Sequence, residues 1–385
     1  MNNKLIHTSF NPLYLLILGV TVLFSSCKFD SPEPLSPHDY GPGGKPDYSG
    51  RITAGEWNDL DNWEFWNSLM NSSEYSSQPS YWNFYTNNRI SVLVQNNGTP
   101  VVNAKVEILR NGTAIWSTIT DNLGKAELWI GAFQNESPSD LNDFSLRVNN
   151  DIQNQDLLLY QDGVNTINLT NAIINPNRVE LSFIVDATGS MSDELDFLKD
   201  DLKSVINTVE TENNNIDIYT STVFYRDQEE QYVTLKSDFT ADINSTISFI
   251  QGQNAFGGGD YPEAVHTALD VAINDLQWSQ VAKTRIAFLL LDAPPHYKPE
   301  VLNSIHETIK SAAEKGIKVI PITASGIDKE TEFLMRFMAI STNGTYVFIT
   351  NDSGVGNDHI DPTVGEYQVD LLNNLLIKLI KKYSN

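Results

Sequence analysis

Two seven-residue runs, Arg285–Leu291 and Ile317–Thr323, are apolar at nearly every position. A strand with one wet face alternates apolar and polar residues, so such runs belong to strands covered on both faces. Strands of that kind pair in parallel and are joined by helices. The surrounding stretch, residues 178–385, supplies them. Strand patterns over 179–185, 215–224, 231–236, 285–291, 317–323 and 345–350 alternate with helix patterns over 193–211, 241–251, 262–275, 298–314, 329–340 and 368–382. The alternation predicts a doubly wound α/β domain, in which ligands bind at the carboxyl ends of the strands.

Three loops at those ends carry the chemistry. The run Val179–Val185 leads into Asp186-Ala187-Thr188-Gly189-Ser190-Met191-Ser192, which places a carboxylate and two hydroxyls at alternate positions. Oxygen-only ligands at this spacing suit a hard divalent cation, Mg²⁺, Mn²⁺ or Ca²⁺. A second loop, Gly257-Gly258-Gly259-Asp260-Tyr261-Pro262-Glu263, opens a helix pattern. A third, Asp292-Ala293-Pro294-Pro295-His296, leaves the apolar strand at 285–291.

Over nearly all of 178–385 these motifs resemble the von Willebrand factor A family, whose fingerprint is a metal-ion-dependent adhesion site built from three loops. The resemblance implies that Asp186, Thr188 and Ser190 are ligands, with Thr188 in place of the commoner serine, and that Asp292 is the acidic residue of the third loop. Many members have a threonine in the second loop. Asp260-Tyr261-Pro262-Glu263 instead resembles the Asp-Ser-Pro-Glu of integrin β subunits, which implies that Glu263 joins the metal shell directly or through water. By the same likeness, Asp193 and Glu194 match an acidic pair that holds a second calcium. Asp260, with a backbone oxygen of Pro262, would serve a further metal, although Gly258 stands where that pattern has asparagine. Asp227 is a candidate contributor there. The residue types alone give another reading: Ser192 caps the helix, and Asp193 and Glu194 suit its positive end.

The implied function is cation-dependent binding of a protein partner, whose Asp or Glu completes the metal shell. A metal-dependent hydrolase or phosphotransferase is an alternative. Against it, Gly-x-Ser-x-Gly and His-Glu-x-x-His are absent, and Gly257–Gly259 lacks the Lys-Ser/Thr of a phosphate-binding loop. A structural scaffold in an envelope complex is the third reading. His266 and His306 fall within helix patterns, whereas His296 lies near the site and is placed to tune ligand preference. Residues 351–358 read as a solvated loop, and in the integrin relatives the helix corresponding to 369–382 moves with the metal site.

The charge balance, 49 acidic against 25 basic residues, argues against nucleic acid and anionic membrane surfaces as partners. The single cysteine, Cys27, excludes an intramolecular disulfide. Residues 1–26 carry Lys4, the apolar stretch from Leu13 to Phe24 and the small pair Ser25-Ser26, the pattern of a signal peptide. Followed by Cys27, this resembles the lipobox of bacterial lipoproteins, with Phe24 where leucine is usual. The resemblance implies lipidation at Cys27 and an outer-membrane lipoprotein of the bacterial envelope that meets the membrane only through its anchor. Residues 27–50, rich in Pro, Gly, Ser and Asp, read as a flexible tether. Lys28-Phe29-Asp30 loosely resembles surface-export signals of Bacteroidetes lipoproteins.

Residues 51–87 concentrate Trp57, Trp63, Trp66, Tyr75, Tyr81, Trp82, Phe84 and Tyr85, with Trp63, Trp66 and Leu69 at helical spacing. Aromatics of this density either pin the segment to a neighbouring domain or form a platform for carbohydrate or peptide; the first reading is preferred. Residues 88–172 hold short β-rich runs at 90–94, 105–109, 115–119 and 126–130, separated by Asn-Gly and Asp-Asn-Leu-Gly turns, which predicts a small all-β sandwich. Asn97–Val106 and Thr120–Ala126 resemble carboxypeptidase-regulatory-like sandwich domains, which serve as spacers.

Overall fold

The computed structural model describes residues 49–137, 140–170, 176–212 and 216–385. The expected leader, most of the expected tether and the expected lipidation position, Cys27, lie outside the described residues, as does the side chain of Asp193.

In chain order the strands are β1 (Thr53–Trp57), β2 (Arg89–Asn96), β3 (Thr99–Pro100), β4 (Lys105–Arg110), β5 (Thr113–Ile119), β6 (Lys125–Trp129), β7 (Phe144–Val148), β8 (Asp151–Ile152), β9 (Asn165–Asn168), β10 (Arg178–Asp186), β11 (Asp217–Tyr225), β12 (Thr234–Thr240), β13 (Thr284–Leu291), β14 (Ile317–Thr323), β15 (Tyr346–Ile349) and β16 (Asp370–Leu371). The α-helices are α1 (Trp63–Leu69), α2 (Gln78–Trp82), α3 (Leu195–Glu212), α4 (Ile243–Gln251), α5 (Val265–Asp270), α6 (Pro299–Lys315), α7 (Lys329–Ser341) and α8 (Leu372–Ser384).

The main sheet runs β12-β11-β10-β13-β14-β15-β1-β16. Its centre, β11 through β15, is parallel, and its outer strands β12, β1 and β16 pair antiparallel. The period of two along each strand sorts the apolar residues between two cores. From β10, Val179, Leu181, Phe183 and Val185 point to the face covered by α3, α4 and α8, while Ile184 points to the face covered by α5, α6 and α7. Likewise β13 sends Ile286, Phe288 and Leu290 one way and Ala287, Leu289 and Leu291 the other. Phe183 and Phe288 stack at 5.4 Å. Burial on both faces is why these strands read as unbroken apolar runs.

The expected doubly wound domain is present, with one addition. Strand β1, from the aromatic-rich segment, pairs antiparallel with β15, from Ala54 opposite Ile349 to Trp57 opposite Tyr346. The helix expected over 262–275 starts at Val265 and ends in a π-helical turn over Val271–Asp275. The helix expected from residue 193 starts at Leu195, because a 3₁₀ turn occupies Gly189–Asp193, so Ser192 does not cap it.

Two four-stranded sheets form the sandwich: β2 with β3, β6 and β9, and β5-β4-β7-β8. Its core is continuous with the α5–α7 side of the main sheet. There Phe133 stacks on His306 at 4.5 Å and Phe84 stacks on Phe337 at 4.1 Å. Trp66 stacks on Phe333 at 5.5 Å. Most of the aromatic-rich segment is therefore packing, and Tyr81 is its exposed exception. Beneath it, Arg336 is fully buried and paired with Asp59 at 2.6 and 2.9 Å.

Candidate metal centre

Strand β10 ends on Asp186, whose side chain is buried at the carboxyl edge of the sheet. The following turn is tied on both sides. The Ala187 N–H donates to the Tyr225 carbonyl at 2.9 Å, and the Gly189 N–H donates to the Gly257 carbonyl at 2.9 Å. Thr188 donates to Asp186 Oδ1 twice, from its backbone N–H at 2.9 Å and from its hydroxyl at 2.7 Å. The Thr188 hydroxyl lies 3.1 Å from that of Ser190. The Ser190 hydroxyl in turn sits beside Asp292, one residue past β13.

Glu263 reaches the same place from the second loop. It forms an isolated parallel bridge with Pro295, and its N–H donates to the Pro294 carbonyl at 2.9 Å, which fastens the second loop to the third. Gly258 lies between Glu263 and Thr188 at φ +77°, where a Cβ would come within 3.0 Å of Glu263 Oε1 and 3.3 Å of Thr188 Cβ. Only glycine suits both that backbone and that gap. The five residues expected as ligands, Asp186, Thr188, Ser190, Glu263 and Asp292, thus come together from three loops.

The electrostatics of the cluster are unfavourable as it stands. Burial, followed by repulsion from Asp186, Asp227 and Asp292, pushes the Glu263 carboxyl up to about 9. Burial and then Asp186 push Asp292 up to about 7. Burial raises Asp186 to about 6 against the pull of the Thr188 hydrogen bonds. Asp186 Oδ2, Glu263 Oε2 and Asp292 Oδ1 are buried without a hydrogen-bond partner. Buried orphan oxygens are uncommon and call for an explanation. A divalent cation among them would supply both the missing partner and the missing charge. The donors are oxygens alone, which fits a hard cation. Among the described residues, no three His, Cys, Asp or Glu side chains are grouped closely enough to hold a metal ion by themselves.

The residues expected around further metals are placed differently. Glu194 is buried, receives the Ser325 N–H at 3.3 Å, and lies 3.3 Å from His359 Nε2. It is turned inward against Gly356 rather than facing solvent at a helix start. Asp260 is exposed on the glycine loop. Asp227 is held by His296 Nε2 at 2.8 Å.

Arg226 is a positioning residue that the motif reading passed over. Its guanidinium donates to the Ala187 carbonyl at 3.2 Å and to the Asn254 carbonyl at 2.9 Å, bracing the first loop against the second. The only signal in the sequence was its place beside Tyr225 at the end of a strand.

Residues 180–356 match the family model of the von Willebrand factor A domain. An ariadne-like RING finger protein of Acanthamoeba polyphaga mimivirus is 33% identical over 139 residues, 36% of this chain. The alpha-protein kinase vwkA of Dictyostelium discoideum is 29% identical over 119 residues, 31% of this chain. The matched stretches span only 13% and 19% of those two proteins. The crystal structure of the conserved hypothetical protein BatB from Bacteroides thetaiotaomicron covers 54% of this chain and 98% of its own, at 16% identity and a TM-score of 0.37. That superposition is too loose to bear on function. Sheet order, loop placement and the family match agree: residues 180–356 form a von Willebrand factor A domain, preceded in the chain by an all-β sandwich.

Proposed function

We propose that this protein binds a protein partner through a divalent cation held by Asp186, Thr188, Ser190, Glu263 and Asp292, with an acidic side chain of the partner completing the shell. The observation that carries this reading is that each of the three loops brings a buried carboxylate oxygen with no hydrogen-bond partner, and that the first also carries the paired hydroxyls of Thr188 and Ser190. The cation would neutralise the cluster and offer a coordination position to a carboxylate. The chain's own residues supply the rest: Thr188 orients Asp186, Arg226 braces the loops, and Gly258 lets Glu263 approach. The proposed role is binding: the cation would offer a coordination position to a partner's carboxylate.

The leader pattern and Cys27 support a lipid-anchored protein of the bacterial outer membrane. Among the described residues no helix is long and apolar enough to cross a membrane.

Isothermal titration with Mg²⁺, Mn²⁺ and Ca²⁺ tests the cation. Stoichiometric uptake that disappears in Asp186→Ala is expected, and no uptake, or equal uptake in the variant, rejects the proposal. Partners that stay bound in EDTA would favour the scaffold reading instead.

A further inference from the structure

The loop that brings Gly258 against the metal centre also carries two exposed aromatic rings. Phe256, two residues before Gly258, is 69% exposed, and Tyr261, three residues after it, is 45% exposed. Exposed aromatics are ordinary when they stand on mobile chain. These two are held. The Phe256 N–H donates to the Ala187 carbonyl at 3.0 Å, inside the first metal loop. Arg226 fixes the Asn254 carbonyl two residues earlier, and its guanidinium lies 5.6 Å from the Phe256 ring centroid. Tyr261 donates its hydroxyl to the Gly326 carbonyl at 2.9 Å, tying it to the loop after β14. Glu230 accepts the Gly258 N–H at 2.9 Å between them. The rings are thus pre-positioned on either side of Gly258 along a braced loop, and little order has to be gained when they are covered.

Resting on the cation reading above, we infer that Phe256 and Tyr261 form an apolar rim of the metal site that selects partner segments whose metal-binding Asp or Glu is flanked by apolar side chains. Both rings stand on the loop that carries Gly258, so the sequence neighbours of a carboxylate reaching the cation would be brought against them. The rim is continuous in sequence with the metal centre through Gly258, whose missing side chain leaves the space where Glu263 and Thr188 lie. A rigid aromatic beside a desolvated charge contact is the arrangement that concentrates binding energy at interfaces.

The test uses the full chain and two capped peptides, Gly-Gly-Asp-Gly-Gly and Gly-Leu-Asp-Leu-Gly, titrated with Mg²⁺ or with EDTA. With Mg²⁺ the leucine peptide should bind about tenfold more tightly, the effect of covering one or two apolar side chains. Phe256→Ser with Tyr261→Ser should erase that preference and leave Mg²⁺ uptake unchanged. Equal affinity for the two peptides, no binding of either by the Mg²⁺-loaded chain, or a preference that survives both substitutions overturns the rim while the cation reading stands. Failure to take up Mg²⁺ overturns both. A cation-independent dimer dissolved by Phe256→Ser would assign the rim to a second copy and overturn the inference.

Discussion

Thr188 gives both its N–H and its hydroxyl to one oxygen of Asp186, at 2.9 and 2.7 Å, and leaves the other oxygen buried with no partner. On the cation reading the pair is a ligand in waiting: one oxygen orients the carboxylate, and the group's other neighbour is the buried Tyr225 hydroxyl. Asp186→Asn would keep an oxygen for Thr188 while removing the charge that repels Asp292 and Glu263. In EDTA this variant should be more stable than the parent by about 1–3 kcal/mol, the scale of one or two pKa units. Calorimetric melting should show the higher Tm, and titration should show cation binding lost.

The pH dependence follows from the same crowding. Glu263, Asp292 and Asp186 hold their protons up to about 9, 7 and 6, against ordinary values of 4.5, 3.8 and 3.8. The folded chain therefore binds more protons than the unfolded one between those limits, and these groups make stability fall as pH rises through them. A cation must displace the protons, so its affinity rises over the same interval. In EDTA the Tm should decline from pH 5 to pH 8, and added Mg²⁺ should raise it far more at pH 8. An apo Tm that rises over this interval, together with a pH-independent Mg²⁺ effect, would contradict the crowding.

Glu263→Gln separates charge from shape. Near neutral pH the Glu263 carboxyl, raised to about 9, already carries its proton, so the amide is close to isosteric with the resting state. Stability in EDTA should change by less than about 0.5 kcal/mol. Mg²⁺ affinity should fall about tenfold or more, because the amide cannot release a proton to become an anionic ligand.

What could be read from the sequence followed from locality. Asp186, Thr188 and Ser190 stand within five residues at the end of an apolar run, and Asp292 directly follows another, so strand pattern and motif converge on them. Glu263 was reached only through its resemblance to a known motif, because nothing local says that residue 263 meets residue 186. Strand β1 was missed for a related reason. Thr53–Trp57 has no strong alternation, and its pairing with Tyr346–Ile349 joins positions nearly three hundred residues apart. In the sandwich, β9 has only four residues with polar neighbours and finds β2 in parallel, a pairing that no turn announces. Glu194 was read from its place beside a helix start, and its inward turn depends on Ser325, Gly356 and His359 from loops far along the chain.

The aromatic-rich segment makes a last prediction, on stability rather than binding. Arg336 is fully buried on α7, and Asp59, just after β1, receives two of its N–H groups at 2.6 and 2.9 Å. Its guanidinium also lies 5.1 Å from the Trp66 ring and 3.6 Å from Glu332. Asp59→Ala removes the bidentate partner and leaves a cation in the core with only part of its compensation. Breaking a buried pair in this way costs about 3–5 kcal/mol, because the desolvation of the remaining charge is no longer offset. Asp59→Ala with Arg336→Met should recover part of the loss, since the methionine fills the space without a charge. Urea unfolding of the two variants checks the pair. If the single variant loses under about 1 kcal/mol, Asp59 is not what holds the segment to α7, and Glu332 carries the charge instead.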